Sequence, residues 1–165
     1  MERSPHLNSN EPVAIAPSSS PADQIKSVLD VWVQSMRSGD LNAQMTCYAP
    51  MLERYFRSTN VDEPTLRKSK AAWMAKWTSA TFDLSEITFH ELGPDRFEVE
   101  FHKEWDATGS SHFTGASRNV LIFQRLDDAW KIVSEQEPQV YRVSKVPNET
   151  SQTPPSPSPT IDANT

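Results

Sequence analysis

A single cysteine, Cys47, stands in the 165 residues of this chain, so no disulfide can close within it and no multi-cysteine zinc site can be built. Glycine is nearly as scarce. Its four positions, 39, 93, 109 and 115, lie too far apart to form a loop that wraps a phosphate. No apolar run approaches the roughly 20 residues that a helix needs to cross a bilayer. The opening Met1-Glu2-Arg3-Ser4-Pro5-His6-Leu7-Asn8 also lacks the apolar stretch of a secretion signal. A cytoplasmic protein with no membrane segment is the expectation from these absences. Positive charge is thin as well, with 16 Lys and Arg against 22 Asp and Glu. The basic residues are scattered rather than gathered in a stripe, which argues against nucleic acid as a partner.

Proline is plentiful, but mostly at the ends. Nine of the thirteen sit at positions 5, 12, 17, 21, 147, 154, 155, 157 and 159. Residues 1–20 and 146–165 are rich in Pro, Ser, Thr and Asn and hold no Trp or Phe. Segments of that composition cannot bury enough apolar surface to offset the entropy of ordering, so both read as disordered tails. Tails on both sides also fit a module cut from a longer chain. The folded domain is expected at residues 21–145, which contain all five tryptophans and all seven phenylalanines. A unit of that size supports one hydrophobic core. Thr153-Pro154, Ser156-Pro157 and Ser158-Pro159 could serve as kinase targets or as a polyproline-II stretch, although a solubilising linker is the simpler reading.

Apolar spacing predicts three helices. In the first, over about 21–38, Ile25, Leu29, Trp32 and Met36 form one stripe, Ser20 is placed to cap the start and Gly39 to end it. Asp40 caps a second over about 41–48, and a third runs from about 62 to 79 with Leu66, Trp73 and Trp77 on its inner face. In that reading Arg67, Lys68, Lys70 and Lys76 mostly face water. Residues 51–58 could be a strand or an extended link. Strands follow at 84–91, 96–106, 112–126 and 129–136, the last with an extension at 139–143 beyond Pro138, separated by Gly93-Pro94-Asp95, Thr108-Gly109-Ser110 and Asp127-Asp128. The fold class is therefore α+β, with three N-terminal helices packed on a strongly curved antiparallel sheet.

Within residues 25–137 this order resembles the nuclear transport factor 2-like superfamily, the cone-shaped fold that includes ketosteroid isomerases and polyketide cyclases. The likeness rests on Arg37-Ser38-Gly39-Asp40, on Cys47-Tyr48-Ala49-Pro50 and on Trp130-Lys131-Ile132-Val133-Ser134-Glu135. Tyr55-Phe56, Lys70, Phe101 and Trp105 sit in a pattern similar to stand-alone or tail-attached bacterial members. The resemblance implies a sheet wrapped over the first and third helices and a homodimer formed through the sheet's outer face. An isomerase of this kind would need a phenolic acid on the first helix two turns before the Gly-Asp pair, where this chain has Trp32. It would also need a carboxylate base after the second helix, where the nearest acid is Glu53. Indole offers only an N–H donor, so isomerase chemistry is not expected.

Other chemistry is equally bare. His90, His102 and His112 fall on separate predicted strands without the clustering that a metal needs. No histidine lies near Cys47 in sequence to activate it. Glu98, Glu100, Glu104 and Asp106 form an acidic row that reads as a solvated sheet face paired with Arg118 and Arg125. Aromatic residues remain. Most must fill the core, but those at the wide end of a cone can line a cavity for an apolar or aromatic small molecule. The candidate pocket residues are Trp32, Tyr55, Trp73, Trp77, Phe101, Trp105, His112, Asn119 and Glu135, with Arg54 a further polar candidate. No cofactor, metal or catalytic residue is assigned. The expected function is a non-catalytic module that binds a small molecule or a protein. A small enzyme using His112, Glu135 or Glu53 is the alternative, and a structural oligomerisation domain is the third.

Overall fold

The computed structural model describes residues 19–148, and the two Pro-rich tails lie almost wholly outside the described residues. Helix α1, Pro21–Ser38, begins where Ser20 accepts a hydrogen bond from the Asp23 amide at 3.2 Å and ends at Gly39, whose φ of 69° is left-handed. Its stripe is buried as the spacing requires: Ile25, Leu29, Trp32 and Met36 all face the core. Helix α2, Leu41–Met45, is capped by Asp40 at 2.9 Å from the Ala43 amide. It stops three residues before the expected end because the chain is needed elsewhere. The Cys47 carbonyl accepts from the Ile132 amide at 2.8 Å, and the Ala49 amide donates to the Ile132 carbonyl at 2.9 Å. Tyr48 is thereby stitched to the last strand.

The ambiguous segment becomes strand β1, Met51–Tyr55, paired with β2, Ser58–Asp62, ahead of helix α3, Glu63–Met74. The helices therefore do not all precede the sheet. Helix α3 ends at Met74 rather than at 79, and Trp77 opens strand β3, Trp77–Gly93, instead of closing the helix. Thr78, Thr81 and the alternation through Phe82 and Leu84 favour extended backbone there. Strands β4, Arg96–Gly109, β5, Ser111–Leu126, and β6, Ala129–Pro147, complete the chain. β6 runs through Val146 and Pro147, which the sequence reading had placed in the tail.

The sheet order is β2-β1-β6-β5-β4-β3. β1 joins β6 in parallel, with Arg54 opposite Ser134 and Tyr55 opposite Glu135, while every other pairing is antiparallel. The strongly curved, wholly antiparallel sheet of the sequence reading is thus corrected to a mixed six-stranded sheet that is not strongly curled. A parallel pair requires a long connection, and the β2–α3–β3–β4–β5 excursion provides it. Asp127 and Asp128, with φ of 48° and 60°, make the expected two-residue hairpin turn between Leu126 and Ala129. Pro138 falls where the β5–β6 register shifts, between the Arg118–Gln139 and Val120–Gln136 pairs, so its missing N–H costs no ladder bond.

α1 packs on the face that carries Phe82, Val99, Phe101, Leu121 and Phe123, all buried. Trp32 meets Phe101 edge-on at 5.8 Å, and Phe97 meets Trp130 at 5.5 Å. Burying each such side chain contributes roughly 1.5–3 kcal/mol. The opposite face carries the acidic row: Arg118 pairs with Glu100 at 2.5 Å as expected, while Arg142 pairs with Glu104 at 3.3 Å, His112 with Asp106 at 2.8 Å, and Arg125 turns instead to Asp95 at 2.6 Å. No helix among the described residues is long and apolar enough to cross a membrane.

Candidate functional site

Alternation along β4 sends Lys103, Trp105 and Ala107 to the helix-facing side, and along β6 it sends Glu135 and Glu137 to the same side. Together with Lys70 and Trp73 of α3, Met36 of α1, Tyr55 and Phe56 at the end of β1, and Trp77, Phe82 and Phe113, they enclose a cavity of about 250 Å³. Its mouth is edged by Val140 and Val143 of β6. The wall is mostly aromatic: Trp77 stacks on Phe113 at 5.4 Å, Trp105 stacks on Phe113 at 6.1 Å, and Trp73 meets Trp77 at 6.1 Å. Gly115, opposite Trp105 across the β4–β5 ladder, lets this wall form. A Cβ there would stand 1.9 Å from the Trp105 ring.

Two ion pairs sit in this wall. Lys70 Nζ donates to both Glu135 oxygens, at 2.9 and 3.1 Å, with both side chains almost fully buried. The Tyr48 hydroxyl donates to Glu135 Oε2 at 2.5 Å, and Trp32 Nε1 donates to the Tyr48 oxygen at 2.7 Å. Lys70 also lies 5.1 Å from the ring centres of Tyr48 and Tyr55. Burial, and after it the Glu135 charge, hold both phenols well above their ordinary range. In the second pair Lys103 Nζ lies 3.3 Å from Glu137 Oε2, which also accepts from Ser117 Oγ at 3.0 Å; Asn119 Nδ2 donates to Ser117 Oγ at 2.8 Å. Burial lowers the Lys103 ammonium below its ordinary range, although both glutamates pull the other way.

The structure gathers Tyr55, Trp73, Trp77, Trp105 and Glu135 of the sequence candidates around the cavity. Trp32, Phe101 and Asn119 are buried behind its wall, Trp32 reaching it only through Tyr48 and Asn119 only through Ser117. His112 points away, because Phe113 takes the inner side, and it pairs with Asp106 on the solvent face. Arg54 bonds the Phe56 carbonyl at 3.1 Å in an exposed setting. Glu53 is held on the surface by Arg96, at 2.7 and 2.9 Å, which keeps its carboxyl below the usual range.

Sequence reasoning missed Lys70, Lys103, Glu137 and the role of Tyr48. Lys70 was legible: Leu66, Lys70 and Trp73 follow one helical stripe, which places the amine inward rather than in water. The expectation that Lys70 mostly faces water is accordingly corrected. Cys47 is buried, and its thiol is pushed up to about 11 by burial, the setting of a core residue rather than a nucleophile. Among the described residues no group of three or more His, Cys, Asp or Glu could hold a metal ion.

Two donors in the wall have no partner. The indole nitrogens of Trp77 and Trp105 are both out of contact with water and form no hydrogen bond. An unpaired buried N–H costs about 1–3 kcal/mol, so both indoles sit in the wall at some expense, their nitrogens covered by protein atoms rather than open to the cavity.

No family model matches the sequence, and no curated protein matches it. Solved structures do. A candidate dehydratase of the NTF2-like family from Streptomyces avermitilis superposes with a TM-score of 0.60 at 16% identity, over 69% of this chain and 91% of that one. A hexachlorocyclohexane dehydrochlorinase, LinA-type3, from Novosphingobium barchaimii gives 0.65 at 9%, over 76% and 89%. An NTF2-like protein of unknown function from Pseudomonas putida gives 0.57 at 18%, over 72% and 87%. Proteins named as enzymes and proteins without a known activity thus share this architecture. The chain has the fold of the nuclear transport factor 2-like superfamily.

Proposed function

We propose that the cavity binds a small, uncharged aromatic molecule, and that the domain works as a small-molecule-binding module. One observation carries the reading: a space of about 250 Å³ lined by the rings of Tyr55, Phe56, Trp73, Trp77, Trp105 and Phe113. A cavity of about 150 Å³ suffices for benzene, so a substituted single ring fits. Two lysines and two glutamates cancel in charge, which favours a neutral guest over an ion. Glu135 supports binding over catalysis, since Lys70 and Tyr48 occupy its oxygens and leave it a fixed charge rather than a free base.

The competing reading, a polyketide cyclase or isomerase, relied on His112, Glu53 and Glu135. The first faces solvent, the second is held by Arg96 on the surface, and the third is saturated. The names of the dehydratase and dehydrochlorinase above keep an enzyme in view as the second reading, with the Lys103–Glu137 pair its best remaining support. The same proposal has two chains associating through the sheet, and light scattering at about tens of micromolar would remove that part by returning one monomer mass.

The binding test is a titration of the 15N-labelled chain with benzyl alcohol, read in the indole region of the NMR spectrum. Trp77 and Trp105 resonances should move, while Trp32 and Trp130, whose N–H groups already bond Tyr48 and Gln24, should stay. No movement up to about 10 mM, weaker than any useful site, would overturn the proposal.

A further inference from the structure

We propose that Lys103 is an amine nucleophile that captures aromatic aldehydes or ketones as an imine, using Glu137 as its proton carrier. The inference deepens the binding reading, on which it rests, by naming the substrate class of the same cavity as carbonyl compounds.

The two lysines of the wall are not equivalent. Lys70 is locked: it donates to both oxygens of Glu135 and lies against two phenol rings. Lys103 has one carboxylate contact, to Glu137 at 3.3 Å, and its ammonium stands 5.4 Å from the centre of the Trp105 ring with a side chain only 12% exposed. Such an amine meets the guest directly. An amine in an apolar pocket also gives up its proton more readily than one in water, and the shift of Lys103 has that direction, with burial as its cause.

Glu137 is held in place by Ser117 and stands where the departing proton must go. The steps then balance. Glu137 takes a proton from the ammonium; the freed nitrogen pair forms a C–N bond to the carbonyl carbon while the C=O π pair moves to oxygen. The carboxylic acid returns its proton to that oxygen, giving a carbinolamine still protonated on nitrogen. A second proton passes from that nitrogen through the same carboxylate to the hydroxyl, which leaves as water, and the nitrogen pair closes the protonated imine C=NH+. The net change is ammonium plus carbonyl to protonated imine plus water, with the carboxylate restored and no oxidant or reductant.

The full chain is incubated with benzaldehyde and sodium cyanoborohydride at pH 7, the hydride converting any imine into a stable secondary amine. Peptide mass spectrometry then locates the added benzyl group. Lys103 should be labelled at least about tenfold faster than any other lysine, the least that holding the carbonyl beside its amine should give. Lys103→Met and Lys103→Arg should both lose the fast labelling, the second while keeping the charge and so the fold. Benzyl alcohol, which fills the cavity but has no carbonyl, should slow the wild-type reaction. Labelling spread evenly over the surface lysines, or falling on Lys70, overturns the proposal. If benzyl alcohol moves the Trp77 and Trp105 resonances yet Lys103 is not labelled, the imine fails and the binding reading stands; if neither occurs, both fail.

Discussion

Replacing Lys70 by methionine tests the arrangement at its most demanding point. The change keeps the length and apolar stem of the side chain and removes only the ammonium. Glu135 would be left with a side chain 5% exposed and only the Tyr48 hydroxyl as partner. Removing one member of a buried ion pair costs about 3–5 kcal/mol, because the other charge stays behind in a poor solvent. The remaining Tyr48 bond offsets part of this, so about 3 kcal/mol is the expectation. Replacing both residues, Lys70→Met with Glu135→Gln, removes the stranded charge and should recover most of the loss. The interaction free energy of the double-mutant cycle should be about 2 kcal/mol or more. Urea unfolding followed by tryptophan fluorescence gives all four values. A Lys70→Met loss under about 1 kcal/mol, or two losses that simply add, would mean that the pair is hydrated and that the wall has been read wrongly.

Tyr48 gives an alkaline signature. Its phenol is raised above its ordinary value of 10.0 in the folded chain, so the folded state keeps a proton that the unfolded state gives up, and stability falls as pH climbs past that value. Tyr48→Phe should flatten this fall and cost about 1–3 kcal/mol at neutral pH, since Glu135 loses a donor and Trp32 an acceptor; denaturant melts at several pH values check both. Gly115→Ala should push the Trp105 ring out of its place, since the new methyl would stand 1.9 Å from it. The expected result is a loss of benzyl alcohol binding and a stability cost of about 1–3 kcal/mol, read by NMR titration and urea melts, and an unchanged Trp105 indole resonance would refute the packing. Phe56 adopts a φ of 51°, a strained value for a bulky residue, while its ring lines the cavity. Phe56→Gly should therefore leave stability nearly unchanged while weakening binding at least about threefold, and equal affinity by titration would show that the ring is not part of the site.

The contrast between what the sequence disclosed and what it hid follows the range of the forces involved. Caps, helix stripes and the Asp127-Asp128 turn depend on neighbours a few residues away, and Ser20, Asp40, Gly39 and the Ile25–Met36 stripe all sit where local chemistry puts them. The parallel β1–β6 pair joins residues about eighty positions apart, and no local pattern reports it. The polar part of the site belongs to the same class. Tyr48, Lys70 and Glu135 come from a helix end, a helix and the last strand, and each alone looks ordinary. A lysine costs too much to bury unless its partner is already inside, so a single inward lysine on an amphipathic stripe is best read as a request for a carboxylate elsewhere in the chain. Lys70 made that request between Leu66 and Trp73, but the Trp130–Ile132 period puts Glu135 on the other face of its strand, and it turns inward only through the irregularity between the Phe123–Ile132 and Ile122–Ser134 pairs. That logic announces that a partner exists without saying which residue it is. The second pair, Lys103 with Glu137, required knowing that β6 continues past Pro138 and that a register shift turns Glu137 toward Ser117 and the cavity, and proline ordinarily argues against both.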